Sequence, residues 1–312
     1  MRVVKIFWFI LLQLVIIYGC NKKDQCIDCE EPVDFRVIDY EPAWSPDGKL
    51  IAFYHGTPGE SGIYLISPDG ENIRKWHDGI PGNPSWGPDE KWIAFSEGAQ
   101  IWKKKIDGDS LTQLTFEGRN FFPSWSPEGN WIAYVQSVCN EITCGIWLAN
   151  LIEENSHNPV ARYGMYPTFH PANNTILYSK RWVNNAGQAC GDSLFYFNIK
   201  TDSSSVFIVL HDENYYNHGF RINWDGSKIA FTSKPTDLPH SRIWTMDANG
   251  SNLVKLTETQ SYGCDWSPDG QYIVYTDART ENGRLWIMNA DGTNKRQLTF
   301  EHHFTTSKTR QD

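Results

Sequence analysis

The chain carries nine histidines, seven cysteines and 37 acidic side chains, and the first question is whether any stand where a reaction would need them. No Gly-x-Ser-x-Gly elbow occurs, so the sharp turn that exposes a hydrolase serine has no counterpart here. Phosphate-cradling glycine loops, dinucleotide fingerprints and His-Glu-x-x-His are missing as well. The histidines are scattered, whereas a metal site wants three or four convergent ligands. Asp-Gly and Asn-Gly pairs recur, but without the alternating carboxylates and closing glutamate of a calcium loop they read as turns. The expectation is binding, with no catalytic residue, metal or cofactor.

Cysteine usage points to a compartment. Arg2 and Lys5 precede a 13-residue run, Ile6 to Tyr18, broken only by Gln13. That is too short for a membrane span of about 20 residues and suits a signal segment. Its end, Ile17-Tyr18-Gly19-Cys20, resembles a bacterial lipobox. The resemblance implies a signal peptide over 1–19, acylation of Cys20, a lipidated polar tether over 20–31 and a lipoprotein of the cell envelope. Asn21, where inner-membrane retention usually uses Asp, favours the outer membrane. Six cysteines remain, an even number suited to an oxidising envelope. Cys139 and Cys144 fit a local clip, but Cys190 is placed to pair with either. Cys26 and Cys29 read as a tether disulfide, a redox pair or half a metal site, and Cys264 as a buried free thiol. The pairing stays open.

Twenty-eight basic against 37 acidic side chains give a formal charge of −9, which argues against nucleic acid. Lys103-Lys104-Lys105 reads as a solvated strand edge.

An internal repeat decides the architecture. Pro42-Ala43-Trp44-Ser45-Pro46-Asp47-Gly48 returns as Pro84-Ser85-Trp86-Gly87-Pro88-Asp89, Pro123-Ser124-Trp125-Ser126-Pro127-Glu128-Gly129 and Trp266-Ser267-Pro268-Asp269-Gly270. Weaker copies sit at Pro167-Thr168-Phe169-His170-Pro171 and at Ile222 with Asp225-Gly226. The anchors at 44, 86, 125, 169, 222 and 266 lie 42, 39, 44, 53 and 44 residues apart. After each turn comes a β run such as Trp131-Ile132-Ala133-Tyr134, then a variable stretch, a second run, a Gly turn and a strand ending Leu-Thr. Four short strands repeated six times predict an all-β chain: a six-bladed β-propeller of four-stranded antiparallel blades over residues 32–312. The repeated tryptophans are expected to wedge between blades. The last blade is completed either by Lys295–Phe300 or by a strand at Val33-Asp34-Phe35.

The Trp-Ser-Pro-Asp-Gly phrase and the stretch Leu285-Trp286-Ile287-Met288-Asn289-Ala290-Asp291-Gly292 resemble the WD40-like PD40 repeat of the TolB family, over roughly residues 40–300. The resemblance implies the propeller fold and a channel mouth that engages an envelope protein, in that family a peptidoglycan-associated lipoprotein. The α/β domain that usually precedes such propellers is not expected here. Some related propeller lyases cut pectic oligosaccharides with a His-ligated metal. Of the histidines, only His170 and His218 lie near first strands, and those belong to different blades.

Five of six loops between the second and third strands are long: His55–Gly62, Ser137–Cys144, Lys180–Ser193, Lys234–Arg242 and Asp277–Arg284. Loops carry function more often than scaffold does, so the site is expected on that face. The residues just before each first strand should ring the mouth: Tyr40 and Glu41, Gly82 and Asn83, Phe121 and Phe122, Met165 and Tyr166, His218 and Gly219, Tyr262 and Gly263, with Arg119 and Asn120 slightly higher. Aromatics with a few polar groups suit a protein, peptide or glycan. The expectation is a membrane-anchored monomer that binds such a partner.

Overall fold

The recurring phrase builds the same corner in blade after blade. Ser45 Oγ donates to Asp47 Oδ1 at 2.8 Å and accepts the Leu50 N–H at 2.9 Å. Ser267 repeats both bonds with Asp269 and Tyr272, at 2.6 and 2.9 Å. The computed structural model describes residues 38–304, apart from 58, 138–143, 154–155, 184–188, 211–214, 236–238 and 280–281; for 181–183, 189–191, 209–210, 215–218 and 235 it describes the backbone alone.

Within those residues the chain forms six four-stranded antiparallel sheets, each with its strands in chain order. Blade one is β1 (Ile38–Trp44), β2 (Ile51–Gly56), β3 (Gly62–Ile66) and β4 (Arg74–Asp78). Blade two is β5 (Gly82–Trp86), β6 (Trp92–Glu97), β7 (Gln100–Lys105) and β8 (Leu111–Gln113). Blade three is β9 (Asn120–Trp125), β10 (Trp131–Gln136), β11 (Gly145–Asn150) and β12 (His157–Arg162). Blade four is β13 (Met165–Phe169), β14 (Thr175–Val183), β15 (Ala189–Asn198) and β16 (Ser203–Leu210). Blade five is β17 (Tyr215–Ile222), β18 (Lys228–Pro235), β19 (Arg242–Asp247) and β20 (Val254–Lys255). Blade six is β21 (Ser261–Trp266), β22 (Tyr272–Asp277), β23 (Arg284–Asn289) and β24 (Arg296–Gln297). First strands of neighbouring blades touch all the way round, β21 against β1 included, so the ring closes as a six-bladed propeller. Among the described residues no helix is long and apolar enough to cross a membrane.

Second strands are buried on both faces, as Ile51, Ala52, Phe53 and Tyr54 show, because each lies between two other strands and two neighbouring blades. The core is therefore a set of inter-blade layers, such as Trp44, Ile51 and Phe53 against Val274, Leu285 and Ile287. Trp86 reaches across its seam to donate to the Ala43 carbonyl at 3.0 Å, and Trp266 to that of Arg221 at 3.2 Å. The Leu-Thr endings are structural too. Thr115, Thr257 and Thr299 are buried, and their hydroxyls accept the N–H of Ile101, Ile243 and Leu285 at 2.8, 2.9 and 2.9 Å.

Blade six supplies its own outer strand, so the ring closes by contact; Val33-Asp34-Phe35 lies outside the described residues. The Asp39 N–H donates to the Gly283 carbonyl at 3.0 Å. The buried Asp39 carboxylate receives His55 Nδ1 at 2.5 Å, Thr299 Oγ1 at 2.6 Å and Arg284 at 3.2 Å. Phe304, just past a 3-10 turn at Glu301–His303, stacks on His55 at 3.6 Å.

Two local expectations change. Lys103-Lys104-Lys105 lies on β7, an internal strand, and its ammonium groups sit 5.0 to 5.5 Å over Trp92 and Trp76. The half-buried stems make it no solvated edge. Much of Lys180–Ser193 is strand rather than loop, with Lys180 paired to Ser193 and Val183 to Ala189.

Candidate functional site

Every first strand shifts register at the same point, between Tyr40 and Ala43 in blade one and at the matching step in the other five. A bulge inserts one residue and re-aims its side chain. At each bulge one residue has left-handed backbone: Glu41 (φ 57°), Asn83 (54°), Phe122 (55°), Tyr166 (52°), Gly219 (64°) and Gly263 (47°). Glycine adopts this conformation freely, whereas a side-chain-bearing residue is strained there by roughly 1–3 kcal/mol. Four consecutive blades accept that strain.

The bulge residues touch in sequence round the mouth. A Cβ on Gly263 would lie 3.5 Å from the Glu41 nitrogen. Glu41 then bridges to blade two, its carboxyl oxygens receiving the Asn83 N–H and side-chain amide at 2.5 Å each. Asn83 Oδ1 accepts from Ser96 Oγ at 3.0 Å and from the Phe122 N–H at 3.4 Å. Phe122 meets Tyr166 edge-on with ring centres 4.9 Å apart. At blade five a Cβ on Gly219 would meet open space.

Two residues beyond each bulge residue comes a second tier: Ala43, Ser85, Ser124, Thr168, Arg221 and Asp265. Here the small polar members strap one blade to the next. Ser85 Oγ accepts the Trp125 N–H at 3.0 Å, Ser124 Oγ that of Phe169 at 3.1 Å, and Asp265 Oδ2 that of Trp44 at 2.8 Å. Only the two glycine blades carry charge in this tier, and it is of opposite sign.

The electrostatics follow from burial. Loss of hydration pushes the Glu41 carboxyl up to about 7, against the hydrogen bonds from Asn83 and the positive field of Arg221. Burial lifts Asp265 to about 6, again against Arg221 and the N–H groups of Trp44 and Trp266. Tyr40 is raised well above the usual phenol value by burial and the neighbouring Glu41. The Cys264 thiol is free, buried and pushed up to about 12, so it is a poor nucleophile. The mouth thus holds two carboxyl groups poised near neutrality, one guanidinium and an aromatic pair.

The residues anticipated from sequence divide. Glu41, Asn83 and Tyr166 come together on the rim, with Tyr40 beside Glu41. Tyr262 is next to Gly263, its hydroxyl taking a 2.7 Å bond from Gln260. For His218 the structure describes the backbone, in β17 opposite Thr232. Arg119 is half-buried beside the rim, its carbonyl accepting from Ser137 at 2.8 Å. Asn120 is wholly buried, bonded to Gln100 Oε1 at 3.0 Å and the Glu117 carbonyl at 2.8 Å, so it locks blades two and three and does not face the mouth. Phe121 is buried as well, and its neighbour Phe122 holds the rim position. Apart from Arg119, which precedes β9, these residues lie within the first strands, not ahead of them. Sequence reasoning missed Arg221 and Asp265, although their charge in a slot otherwise filled by Ala, Ser or Thr was a usable signal.

Among the described residues no three His, Cys, Asp or Glu side chains converge as a metal site requires. Cys144 is disulfide-bonded, while Cys139, Cys26, Cys29 and Cys20, and the Cys190 side chain, lie outside what is described.

A family model described as the TolB beta propeller domain matches residues 28–189. No match is found among curated proteins. Of solved structures, TolB from Acinetobacter baumannii superposes with a TM-score of 0.67 at 20% identity, over 84% of this chain and 63% of that one. This chain therefore spans less than two thirds of that TolB. A putative TolB from Agrobacterium tumefaciens gives 0.60 at 19%, over 80% of this chain and 90% of the other. An oligogalacturonate lyase in complex with manganese gives 0.57 at 13%, over 85% and 79%. At these identities the likeness is one of fold.

Proposed function

The chain belongs to the family of TolB β-propeller domains, and from that premise we propose that it is a non-catalytic binding protein of the bacterial envelope that holds a protein partner at its channel mouth. The observation that carries the reading is the strained arc of Glu41, Asn83, Phe122 and Tyr166. Strained backbone persists where the surroundings hold it, and it clusters at binding sites. The Phe122–Tyr166 pair offers apolar area, and the blades on the other side hold the half-buried Arg221 and Asp265 beneath glycines. An extended segment of a partner protein, apolar on one side and charged on the other, meets both. Acylated Cys20 would tether the propeller to the outer membrane, with residues 21–31 as spacer.

Site-directed photo-crosslinking in cells tests the contact. A photoreactive residue replacing Tyr166 is expected to form a discrete protein adduct. One replacing Trp224, exposed in the turn after the first strand of blade five, is expected to form none. Adducts at 224 and none at 166 would place the contact on the other face. A mouth that gives no protein adduct but retains oligosaccharide would make it a glycan site.

A further inference from the structure

The outer strand of every blade presents unpaired backbone groups, and propellers must keep such edges from pairing with other chains. Five of the six edges are blunted here. β8 has three residues, and β20 and β24 have two each. β4 reads Arg-Lys-Trp-His-Asp, with charge at three of its five positions. β12 contains Pro159, which has no N–H to offer, and ends at Arg162.

β16 has none of these defences. It runs eight residues, Ser-Ser-Ser-Val-Phe-Ile-Val-Leu, without charge or proline, at the end of its sheet. Among the described residues no strand pairs with its outer side. Ser203 to Val206 are exposed, Val206 at 58%. Its one irregularity is a bulge at Phe207, where Leu194 pairs Ile208 and Phe195 pairs Val206.

We propose that this edge is a homodimer contact, in which β16 of two copies pair antiparallel across a two-fold axis and join the fourth blades into one eight-stranded sheet. The charge pattern selects a second copy as occupant. Two chains of net charge −9 repel each other overall, yet β16 can be laid against itself with no like charges opposed. An axis between Val206 and Phe207 sets each copy's serines against the other's aliphatic end and places bulge beside bulge. The contact is isologous, so it closes at two. It lies on the outer rim, leaves the mouth free, and gives a dimer where the sequence alone suggests a monomer.

Analytical ultracentrifugation of the detergent-solubilised full chain tests the contact, wild type against Val206→Lys. Val206 is exposed, so the variant should fold, and an unchanged circular-dichroism melt confirms it. The wild type should show a concentration-dependent monomer–dimer equilibrium. The lysine, facing its like near the axis, should weaken it at least about tenfold. Amide exchange in 203–206 should slow as wild-type concentration rises, and not in the variant. A wild type that stays monomeric, or a dimer that Val206→Lys leaves intact, would overturn the proposal.

Discussion

Blades one to four and blades five and six resolve the same bulge in opposite ways. The first four place a side chain on left-handed backbone and keep Ala43, Ser85, Ser124 or Thr168 beneath it. The last two place Gly219 and Gly263 there and keep Arg221 or Asp265 beneath. One arc is a continuous wall running from Glu41 through Asn83 and Phe122 to Tyr166. The other carries no side chain at the bulge and sets half-buried charges of opposite sign beneath it. Glycine is the unstrained residue at such a bulge, so on the proposed reading the wall accepts backbone strain in order to present side chains at the mouth.

The comparison breaks most readily at the glycines. Gly219→Ala and Gly263→Ala add a Cβ with nothing closer than about 3.5 Å, so the cost is conformational, about 1–2 kcal/mol each. Urea denaturation should show that loss, as a lower midpoint at unchanged slope. Equal stability would mean that left-handed backbone costs nothing here, and the strain argument for the wall would fall with it.

A pH-dependent effect sharpens the role of Glu41. Its carboxyl has a folded pKa of about 7 against an ordinary 4.5. Between those values the native state keeps a proton that the unfolded chain releases. The corresponding stability is thus full below about pH 4.5 and is lost as pH rises through about 7. Glu41→Gln, which keeps an acceptor for Asn83, should flatten the wild-type decline across that window. What slope remains should lie mainly between about 4 and about 6, from Asp265. Parallel curves for the two proteins would remove Glu41 as the titrating group.

The scaffold was legible because its grammar is local: the Trp-Ser-Pro-Asp-Gly corner and the Leu-Thr cap are made by residues within about 15 positions of each other. The rim was legible only in part. Phe121 looked equivalent to the other mouth residues, but the bulge adds one residue and breaks the alternation of faces, so Phe122 takes the rim. Asn120 looked exposed because a polar residue after a loop usually is, whereas here its amide satisfies buried partners in a seam. The closing cluster was invisible, since Asp39 and Arg284 are separated by 245 residues.

The most direct measurement compares wild type with a Phe122→Gly/Tyr166→Gly double variant, by in-cell crosslinking and capture quantified by mass spectrometry, alongside the thermal midpoint of each. Both substitutions remove side chains from strained backbone. Relief of strain, up to about 1 kcal/mol per site, offsets only part of the packing lost with two half-buried rings. The thermal midpoint should therefore fall while the variant stays folded, and the captured partner should fall at least about tenfold. A folded double variant that captures the same partner as well as wild type would contradict the assignment of the mouth as the binding surface.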